Sequence, residues 1–439
     1  MHPITLFWFR RDLRLEDNHG LFQALQSDNQ VQCIFIFDKK ILQDLKEDDK
    51  LTLDSRLIFI HRTIQVLKDK LTSLGSDLWV YYDEPINVFR HLIDNYKVKA
   101  LYFNHDYEPY AIRRDADIQS LFLAYSIPSF SYKDQCIFEK NEVLKDDGSP
   151  YTIFTPYSKK WRARLELSSV STFSSECLMQ NFNKSPSCTD MISLIELGFN
   201  EANIIFPSAN VPAEVIKDYD RFRDFPALEG TSRLGVHLRF GTFSIRKLLL
   251  FATHHTANTF VNELIWRDFY MMILFHFPHV VHGSFKREYD NIIWNNDEDQ
   301  FRLWCEGRTG FPLVDAGMRE LNSSGFMHNR VRMITASFLV KDLLIDWRWG
   351  EAYFAQKLLD YELSSNNGGW QWAASCGCDA APYFRIFNPD LQAKKFDPLG
   401  AYIRKWIPEF GTAEYPLPIV NHQEAKEKSL KVFSDALKK

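Results

Sequence analysis

The segment TLFWFR at residues 5–10 is the first of four short apolar runs that decide the fold of the first part of the chain. The other three runs are VQCIFIF at 31–37, LWVYY at 78–82 and ALYFN at 100–104. Between the second and third runs, Leu and Ile recur at intervals of three and four from Leu57 to Leu74, which is the spacing of one apolar helix face. Strands that alternate with helices are typical of a parallel sheet. We therefore predict an α/β domain built on a parallel sheet.

The glycines of this half argue against two common kinds of nucleotide-binding domain. NAD-binding domains and P-loop NTPases need glycine-rich turns that let the backbone approach a phosphate group. Before residue 200 the glycines are Gly20, Gly75, Gly148 and Gly198, and neither motif is present. An NAD-dependent or NTPase function of this half is therefore disfavoured.

The pattern changes in the middle of the chain. Residues 165–190 carry seven serines and no sustained apolar periodicity, which is typical of a connection between domains. These serines are at positions 168, 169, 171, 174, 175, 185 and 187. Beyond about residue 212, long amphipathic segments such as 326–344 indicate helices. The predicted organisation is an α/β domain at 1–132, an interdomain linker at 133–200 and an all-helical domain at 201–439.

The composition bounds the class of protein. A chain of 439 residues is too long for a lone binding module, and eight of its 11 tryptophans cluster in the helical part. No apolar run reaches the roughly 18 residues that span a bilayer, and the first 16 residues carry charges where a signal peptide is apolar. We expect a cytoplasmic protein without membrane contact. Its seven irregularly spaced cysteines are expected to be reduced thiols.

The net charge of −5 shows that neither part of the chain is a basic nucleic-acid-binding domain by bulk charge. Contact with DNA or RNA would therefore depend on a local patch of arginine and lysine. Metal binding is also disfavoured. His276, His279 and His282, with Cys376 and Cys378, lack a convincing set of further ligands.

One helical segment, NELIWRDFY at 262–270, places chemically different side chains on one face. Glu263, Trp266 and Arg267 stand at i, i+3 and i+4, so a carboxylate, an indole and a guanidinium are neighbours. An amphipathic helix with a surface ion pair explains the same pattern, although tryptophan is an unusual residue for a solvated face.

A second helical segment, at 326–333, repeats this arrangement more weakly. Asn329 and Met333 share one face, and Arg330 and Arg332 flank it.

Two further segments are candidates for ligand contact. SNNGGWQW at 365–372 is a poor helix start and a poor core, so a flat polar group is expected to pack there, with a capped turn and two buried indoles as the alternative. TSRL at 231–234 precedes an apolar-periodic segment at 234–249, and its hydroxyls and free N–H groups suit an anion. A plain helix N-cap explains the second segment equally well.

Together these segments resemble the photolyase/cryptochrome family, and in particular its class I cyclobutane pyrimidine dimer photolyases. The resemblance covers nearly the whole chain and is densest over 223–410. The motifs that carry it are WFRRDLRLEDN at 8–18, RDFPALEGTSRL at 223–234, NELIWRDFY at 262–270, GFMHNRVRMITASFLVKDLLIDWRWGEAYF at 325–354 and NNGGWQWAASCGCDAAPYFRIFNP at 366–389.

The resemblance implies a U-shaped FAD in the helical domain. Asn366 would face flavin N5, and Arg332 with Asp360 would flank the isoalloxazine ring. An asparagine there favours the reduced flavin of a repair enzyme, whereas sensors of the family often carry Asp or Cys at this position. The full set of implied FAD contacts is Tyr219, Thr231, Ser232, Arg233, Leu234, Gly235, Arg267, Arg332, Asp360, Glu362 and Asn366.

The resemblance also implies light-driven repair of pyrimidine dimers in DNA. One electron would pass from excited FADH⁻ to a flipped-out dimer and return after the ring opens. The implied contacts with the dimer and DNA are Glu263, Trp266, Asn329, Arg330, Met333, Trp372 and Arg385, of which Glu263 and Asn329 would act on the reacting bases. The implied chain of electron carriers to the flavin is Trp370, Trp347 and Trp294.

The chain departs from the family pattern at several positions. Gly235 replaces a usual hydroxyl residue, Glu362 stands where Asp is common, and Phe260 stands where some relatives have Trp. Relatives that bind a folate antenna use an Asn-Glu pair where this chain has Tyr110 and Ala111. A flavin-type second chromophore, or none, is therefore expected in the first domain.

Two other functions within the family stay open. A cryptochrome-type light sensor would usually carry a C-terminal extension, whereas this chain ends about thirty residues beyond Trp406. A (6-4) photolyase is associated with paired histidines at positions 328 and 329, and here the second is Asn329. The expected partner is damaged DNA, and the protein is expected to be a monomer, associated with the nucleoid if it is bacterial.

Overall fold

The structure is a computed structural model that describes residues 2–27, 30–46, 51–168, 170–184 and 190–438. Its contacts divide the chain into two compact units. The first unit consists of Met1–Glu139, Ser168–Asn210 and Arg233–Phe251, and the second consists of Lys140–Leu167, Val211–Ser232 and Ala252–Lys439.

A five-stranded parallel sheet forms the centre of the first unit. Its strands are β1 (Ile4–Phe9), β2 (Gln30–Asp38), β3 (Leu78–Asp83), β4 (Val98–Asn104) and β5 (Ser129–Tyr132), in the order β3-β2-β1-β4-β5. The four predicted strands are confirmed. β1 is buried along its whole length, as expected for a strand inside a parallel sheet. β5 was not predicted, because its four residues alternate serine with aromatic rings and none is fully buried.

Helices make up most of the remaining regular structure. In chain order they are α1 (His19–Leu25), α2 (Lys39–Asp44), α3 (Ser55–Ser73), α4 (Pro85–Asn95), α5 (Pro109–Ala124), α6 (Phe154–Leu167), α7 (Ala213–Lys217), α8 (Tyr219–Phe222), α9 (Gly235–Phe240), α10 (Ile245–His254), α11 (Asn258–His276), α12 (Glu298–Glu306), α13 (Pro312–Ser324), α14 (Asn329–Ser337), α15 (Trp347–Lys357), α16 (Leu363–Ala373), α17 (Pro389–Phe396), α18 (Ala401–Trp406) and α19 (His422–Leu437). Short 3-10 helices lie at Ser175–Asn181, Pro278–Val281 and Arg287–Asn291, and a π-helical turn lies at Phe338–Asp342.

Ion pairs of the protein's own side chains fill the edge of the sheet where the strand order reverses. β1 and β4 are neighbours there, and open α/β sheets bind ligands at such a point. Arg10 pairs with Asp115, and Arg11 Nη1 lies 3.0 Å from Asp106 Oδ1.

The predicted linker contributes to both units. The backbone N–H of Asn183 donates to Val31 O at 2.8 Å, and that of Asn200 donates to Thr52 O at 2.9 Å, both inside the first unit. α6, from the same stretch of sequence, belongs to the second unit. The division of contacts thus differs from the predicted boundaries at 132 and 200. Three of the serines, at 169, 185 and 187, lie outside the described residues.

The predicted helical segment at 234–249 is two helices. α9 ends at Gly241, whose φ of 66° is left-handed and closes the helix, and α10 begins four residues later. The apolar periodicity of the sequence continues through the turn between α9 and α10, so it did not predict that the helix is interrupted there.

The prediction that 365–372 makes a poor helix start is wrong, since these residues lie inside α16. Tertiary contacts outweigh their low helix propensity. A Cβ on Gly368 would lie 2.2 Å from a ring atom of Tyr270, so only glycine permits this approach of α16 to α11. The amides of Asn367 and Gln371 donate to Val280 O at 3.0 and 2.9 Å.

Aromatic side chains form much of the core of the second unit, which explains why the tryptophans cluster in this part of the chain. Trp304, Trp347 and Trp370 are buried there with leucines and phenylalanines from α13 to α16. Trp304 Nε1 donates to Thr335 O at 3.2 Å, so the buried indole N–H is satisfied.

The described residues lack a membrane-spanning helix, a metal-binding cluster and a disulfide. Within the described residues, no helix is long and apolar enough to cross a bilayer, and no cluster of His, Cys, Asp and Glu has the arrangement of a metal site. Six cysteines are free thiols, and Cys188 lies outside the described residues.

A buried lysine lies in the π-helical turn of the second unit. Lys341 Nζ donates to Ser375 Oγ at 3.0 Å and lies 3.5 Å from the ring centre of Phe433 in α19. The face of the phenyl ring favours the charged form, but burial lowers the pKa of Lys341 from its ordinary value of 10.5 to about 7. The folded protein therefore holds this lysine largely neutral above pH 7.

We expect Lys341→Met to stabilise the protein at neutral and lower pH, and less at high pH. In the unfolded chain the amine stays protonated up to about pH 10, so wild-type stability rises with pH between about 7 and 10.5. The variant removes this cost, and its free energy of unfolding should exceed that of wild type by about 1–3 kcal/mol at pH 7 and by less at pH 10. Urea unfolding at both pH values measures it, and equal gains at both would contradict a neutral lysine.

Candidate functional site

The helix predicted at 262–270 is confirmed as part of α11, but its charged residues pair with other elements. Glu263 Oε1 lies 2.6 Å from Arg223 Nη1, and Arg267 Nε lies 3.4 Å from Glu362 Oε2. The alternative of an ion pair within one surface helix therefore does not describe these residues. α11 instead connects two charged pairs on one face with Trp266 beside them.

Glu263 has an unusual electrostatic environment. Burial raises the pKa of its carboxyl above the ordinary value, although the Arg223 guanidinium opposes that shift. A carboxyl held in this balance is suited to hydrogen bonding with the polar edge of a base, as either acceptor or donor.

α14 presents the second predicted group of residues. Asn329 is exposed at its first position, and His328 Nδ1 accepts a hydrogen bond from the backbone N–H of Arg330 at 3.2 Å. Met333 lies one turn after Asn329, with its sulfur 3.9 Å from Arg330 Nη1. His328 therefore caps this helix.

The arginines of α14 diverge to different partners. Arg330 Nη2 lies 2.7 Å from Asp224 Oδ1, and its guanidinium covers the ring of Phe396 at 4.5 Å. Arg332 Nη2 lies 3.0 Å from Asp360 Oδ2, and its Nε donates to Met327 O at 2.7 Å. Arg332 and Asp360, which the resemblance places beside the isoalloxazine ring, thus form an ion pair.

α16 has an open face next to Asn366. Asn366 Nδ2 donates to Glu351 Oε1 at 2.8 Å and to Glu351 O at 3.2 Å, so the amide oxygen faces away from Glu351. Burial raises the pKa of Glu351. Gly369 is one turn further along α16, and among the described residues no atom other than those of its chain neighbours and the α16 backbone lies within 4 Å of a Cβ built on it.

The predicted anion-binding loop precedes α9. Thr231 and Ser232 are half-buried, Leu234 is buried, and Gly235 begins the helix. Arg233 is exposed and has a left-handed φ of 52°, which is uncommon for a residue with a side chain. Such strain persists where the surrounding structure fixes the backbone.

Tyr219 begins α8, earlier in the chain. The Arg223 guanidinium lies over its ring at 5.2 Å, and the edge of Phe260 meets it at 5.2 Å. The phenylalanine that departs from the family pattern therefore makes an aromatic contact with a predicted FAD contact.

The three tryptophans of the predicted electron chain differ in exposure. Trp370 and Trp347 are buried, with 3% and 2% of their surface accessible, whereas Trp294 is half-buried and meets the edge of Phe433 at 5.9 Å. A Cβ on Gly350 would lie 2.1 Å from Trp370, so α15 packs directly on this indole. The order from buried to accessible suits transfer from a surface to a buried acceptor.

The remaining predicted contacts with DNA lie after α16. Trp372 is half-buried near the end of the helix, and Arg385 is exposed in the loop before α17. Phe384 beside it is 65% exposed, which is unusual for a phenyl ring. Sequence reasoning missed Phe384, although an aromatic residue next to an arginine is a common feature of nucleic-acid surfaces.

These residues fit a flavin. Asn366 offers a hydrogen-bond acceptor, Gly369 leaves room on the same helix, and Arg332 with Asp360 adds a charged pair of the kind that can flank a flavin ring. The hydroxyls of Thr231 and Ser232 suit a phosphate group. The fold and these residues thus define a flavin-dependent protein with an α/β unit and a helical unit.

Comparison with known proteins gives the family. A model described as the FAD binding domain of DNA photolyase matches residues 260–414, and one described as DNA photolyase matches residues 5–175. The deoxyribodipyrimidine photo-lyase of Synechococcus sp. is 35% identical over 479 aligned residues, which cover 99% of this chain and 96% of that one. The chain belongs to the photolyase/cryptochrome family and has its FAD-binding domain.

Two solved structures are similar over almost their full lengths. An archaeal photolyase from Sulfolobus tokodaii, solved with two FAD molecules, has a TM-score of 0.83 at 35% identity, with 98% of this chain and 100% of that chain covered. A cryptochrome of Synechocystis sp. PCC6803 has a TM-score of 0.86 at 26% identity, with 98% and 99% covered. The predicted combination of an α/β domain with an all-helical domain is therefore confirmed.

The open face at Gly369 gives a test of the flavin position. Gly369→Ala should raise the stability of the flavin-free protein by about 0.5–1 kcal/mol, because alanine favours a helix. It should also lower the FAD retained per protein, because the methyl group enters the proposed ring site. Thermal unfolding of flavin-free protein and flavin absorbance measure the two effects.

Gly368→Ala is the matched control. Its Cβ overlaps Tyr270, so this variant should lose stability with and without FAD. Full FAD retention by Gly369→Ala would place the flavin on another face of α16.

Proposed function

We propose that this protein repairs cyclobutane pyrimidine dimers in DNA in a light-dependent reaction. The observation that carries the proposal is the pairing, one turn apart on α11, of a carboxyl of raised pKa at Glu263 with the partly accessible indole of Trp266. Both lie in the helical unit that holds Asn366 and the FAD-binding domain. A polar group and an apolar plane side by side suit a base that is hydrogen-bonded at its edge and stacked on its face.

The lesion would be bound by groups from three helices. Trp266 and Trp372 form apolar walls, and Glu263 and Asn329 bond to the base edges, with Met333 near Asn329. Extruding a crosslinked dimer costs less than extruding normal bases, because the dimer stacks and pairs badly. Selectivity for damage follows in part from that difference.

The second group of residues would hold FAD, which in its reduced and excited form supplies the electron for ring opening. Asn366 would turn its amide oxygen to N5 and accept a hydrogen bond from a proton there, because both hydrogen bonds of its Nδ2 go to Glu351. Arg332 and Asp360 would flank the ring, while Tyr219, Thr231 and Ser232 would hold the phosphates and ribitol.

DNA would approach a local basic surface, since the whole chain has a net charge of −5. Arg385, Lys394 and Lys395 are exposed and close in sequence. Many neighbouring arginines already pair with acidic groups, as Arg330 does with Asp224. Binding should therefore involve few phosphates and weaken only moderately as the salt concentration rises. We propose that the protein acts as a monomer.

The second chromophore is proposed to be a flavin, or absent. Tyr110, which stands where folate-binding relatives have asparagine, donates from its hydroxyl to Asp38 Oδ2 at 2.7 Å. The Sulfolobus tokodaii photolyase was solved with two FAD molecules, so a photolyase can hold a second flavin. This supports a flavin as the second chromophore here. Mass spectrometry of extracted chromophores tests this, and a bound pterin would contradict it.

A light-sensing role is the second candidate function, favoured by the similarity to the Synechocystis cryptochrome. Repair of (6-4) lesions is less well supported, because Asn329 stands at the second histidine position and His328 caps α14.

Light-dependent repair is the first expected outcome. Reduced protein should convert thymine dimers in an oligonucleotide to monomers under blue light and do nothing in the dark, as measured by chromatography. Glu263→Gln keeps the shape of the side chain but lacks its charge, so repair per photon should fall about three- to tenfold while dimer binding changes less.

Two other results would redirect the assignment. Activity on (6-4) lesions without activity on dimers would favour the other repair enzyme. Absence of both activities in protein with bound, photoreducible FAD would favour the sensor.

The tryptophan chain gives a second expected outcome. Trp294→Phe and Trp370→Phe should each slow photoreduction of the oxidised enzyme at least tenfold, because indole is easier to oxidise than phenyl. Repair by chemically reduced enzyme should stay nearly intact, since it starts from reduced flavin. Flavin absorbance under blue light follows the first process and dimer repair the second.

Trp304→Phe is the matched control, because Trp304 is buried at 6.1 Å from Trp370 but is not in the proposed chain. Equal loss of photoreduction in this control would contradict the assigned route.

A further inference from the structure

We propose that Phe154 is a positioning residue of the lesion site, which holds the Trp266 indole in one plane so that a dimer stacks on the opposite face. This inference rests on the proposed function, because it states how one wall of that site is built. Phe154 begins α6, in the stretch that the sequence assigns to the linker. It lies outside every segment that the sequence connects with DNA.

The two rings are stacked face to face. Their centroids are 3.7 Å apart and their planes differ by 2°. Phe154 therefore covers one face of the indole. Trp266 is still partly accessible, although the rings of Phe269 and Tyr270 also lie near it, with centroids at 5.6 and 5.4 Å. An extruded base thus meets a ring that already has an aromatic partner behind it.

The position of Phe154 is fixed by its backbone. Its N–H donates to Asp379 Oδ2 at 3.1 Å. Asp379 lies in the loop that follows α16 and has a left-handed φ of 48°. This loop continues to Arg385, the predicted DNA contact. The start of α6 is therefore hydrogen-bonded to the loop that follows Trp372, the second apolar wall of the proposed site.

The rest of α6 is anchored along α11. The rings of Tyr157 and Phe269 are 5.1 Å apart, and Trp161 Nε1 donates to Asp268 Oδ2 at 2.9 Å with both residues fully buried. Phe154, Tyr157 and Trp161 are spaced by three and four, so they share one face of α6. This row of contacts prevents Phe154 from turning away from the indole.

The consequence is a wall with a fixed plane. Trp266 and Glu263 are one turn apart on α11, so a base stacked on the fixed indole reaches the carboxyl without reorienting it. Without Phe154, the Trp266 side chain can adopt more rotamers, and fixing it in one rotamer when the lesion binds costs affinity. Phe154 thus acts through Trp266 and does not itself touch the lesion.

The test compares three substitutions at one position in the FAD-loaded protein. Phe154→Ala removes the ring, Phe154→Leu keeps apolar volume without the stack, and Phe154→Tyr keeps the stack. Dissociation constants are measured for one oligonucleotide with and without a thymine dimer, together with FAD content and the thermal midpoint. Ile153→Ala, which changes an exposed neighbour, is the surface control.

We expect Phe154→Ala and Phe154→Leu to bind the dimer about three- to tenfold more weakly, which is the contribution of one aromatic pair. Binding of undamaged DNA and FAD content should stay at wild-type values, and Phe154→Tyr and Ile153→Ala should match wild type. The repair yield of the saturated complex should change little, since Phe154 does not touch the reacting atoms.

Trp161→Phe separates positioning from general loosening of α6, because it breaks the buried hydrogen bond to Asp268 and leaves the stack in place. The inference is overturned if wild type prefers dimers and the Phe154 variants keep that preference. It is also overturned if Phe154→Leu loses no more dimer affinity than Trp161→Phe. If wild type shows no preference for dimers, the proposed function fails and this inference fails with it.

Discussion

The close approach of α16 to its two neighbours is the constraint on which the helical unit depends. A Cβ on Gly350 would overlap the ring of Trp370, and one on Gly368 would overlap the ring of Tyr270, so each ring packs directly on the backbone of the facing helix. With both sides fixed, the direction of Asn366 is fixed as well. The candidate flavin face and the candidate electron chain therefore share one rigid helix.

Tertiary contacts compensate for the poor helix propensity of that segment. Asn367 and Gln371 both donate to the carbonyl of Val280, and Gln371 Oε1 accepts from the backbone N–H of Phe285. Buried amides are costly unless their hydrogen bonds are made, and here they tie α16 to the chain after α11. Gly368 and the two amides thus stabilise the packing while they weaken the isolated helix.

The sequence predicted the elements whose signal is local. The four apolar strands, the amphipathic face of 57–74 and the helix at 262–270 are present because burial imposes their periodicity. The pairings of Glu263 with Arg223 and of Arg267 with Glu362 were not predictable, since they join residues far apart in the chain. Helix α6 was missed because the serines that follow it suggested a linker. Its contacts with α11 join residues far apart in the chain, so no local pattern indicates them.

The path of the chain through the two units limits how the protein can be divided into fragments. α6 belongs to the helical unit, yet the chain after it, from Ser168 to Asn210, belongs to the α/β unit. A fragment that starts at residue 201 would lack Trp161 and leave the Asp268 carboxylate buried without its indole donor. Expression of the helical unit alone must therefore retain residues 140–167, and both 168–210 and 233–251, which belong to the α/β unit, would need to be replaced by tethers.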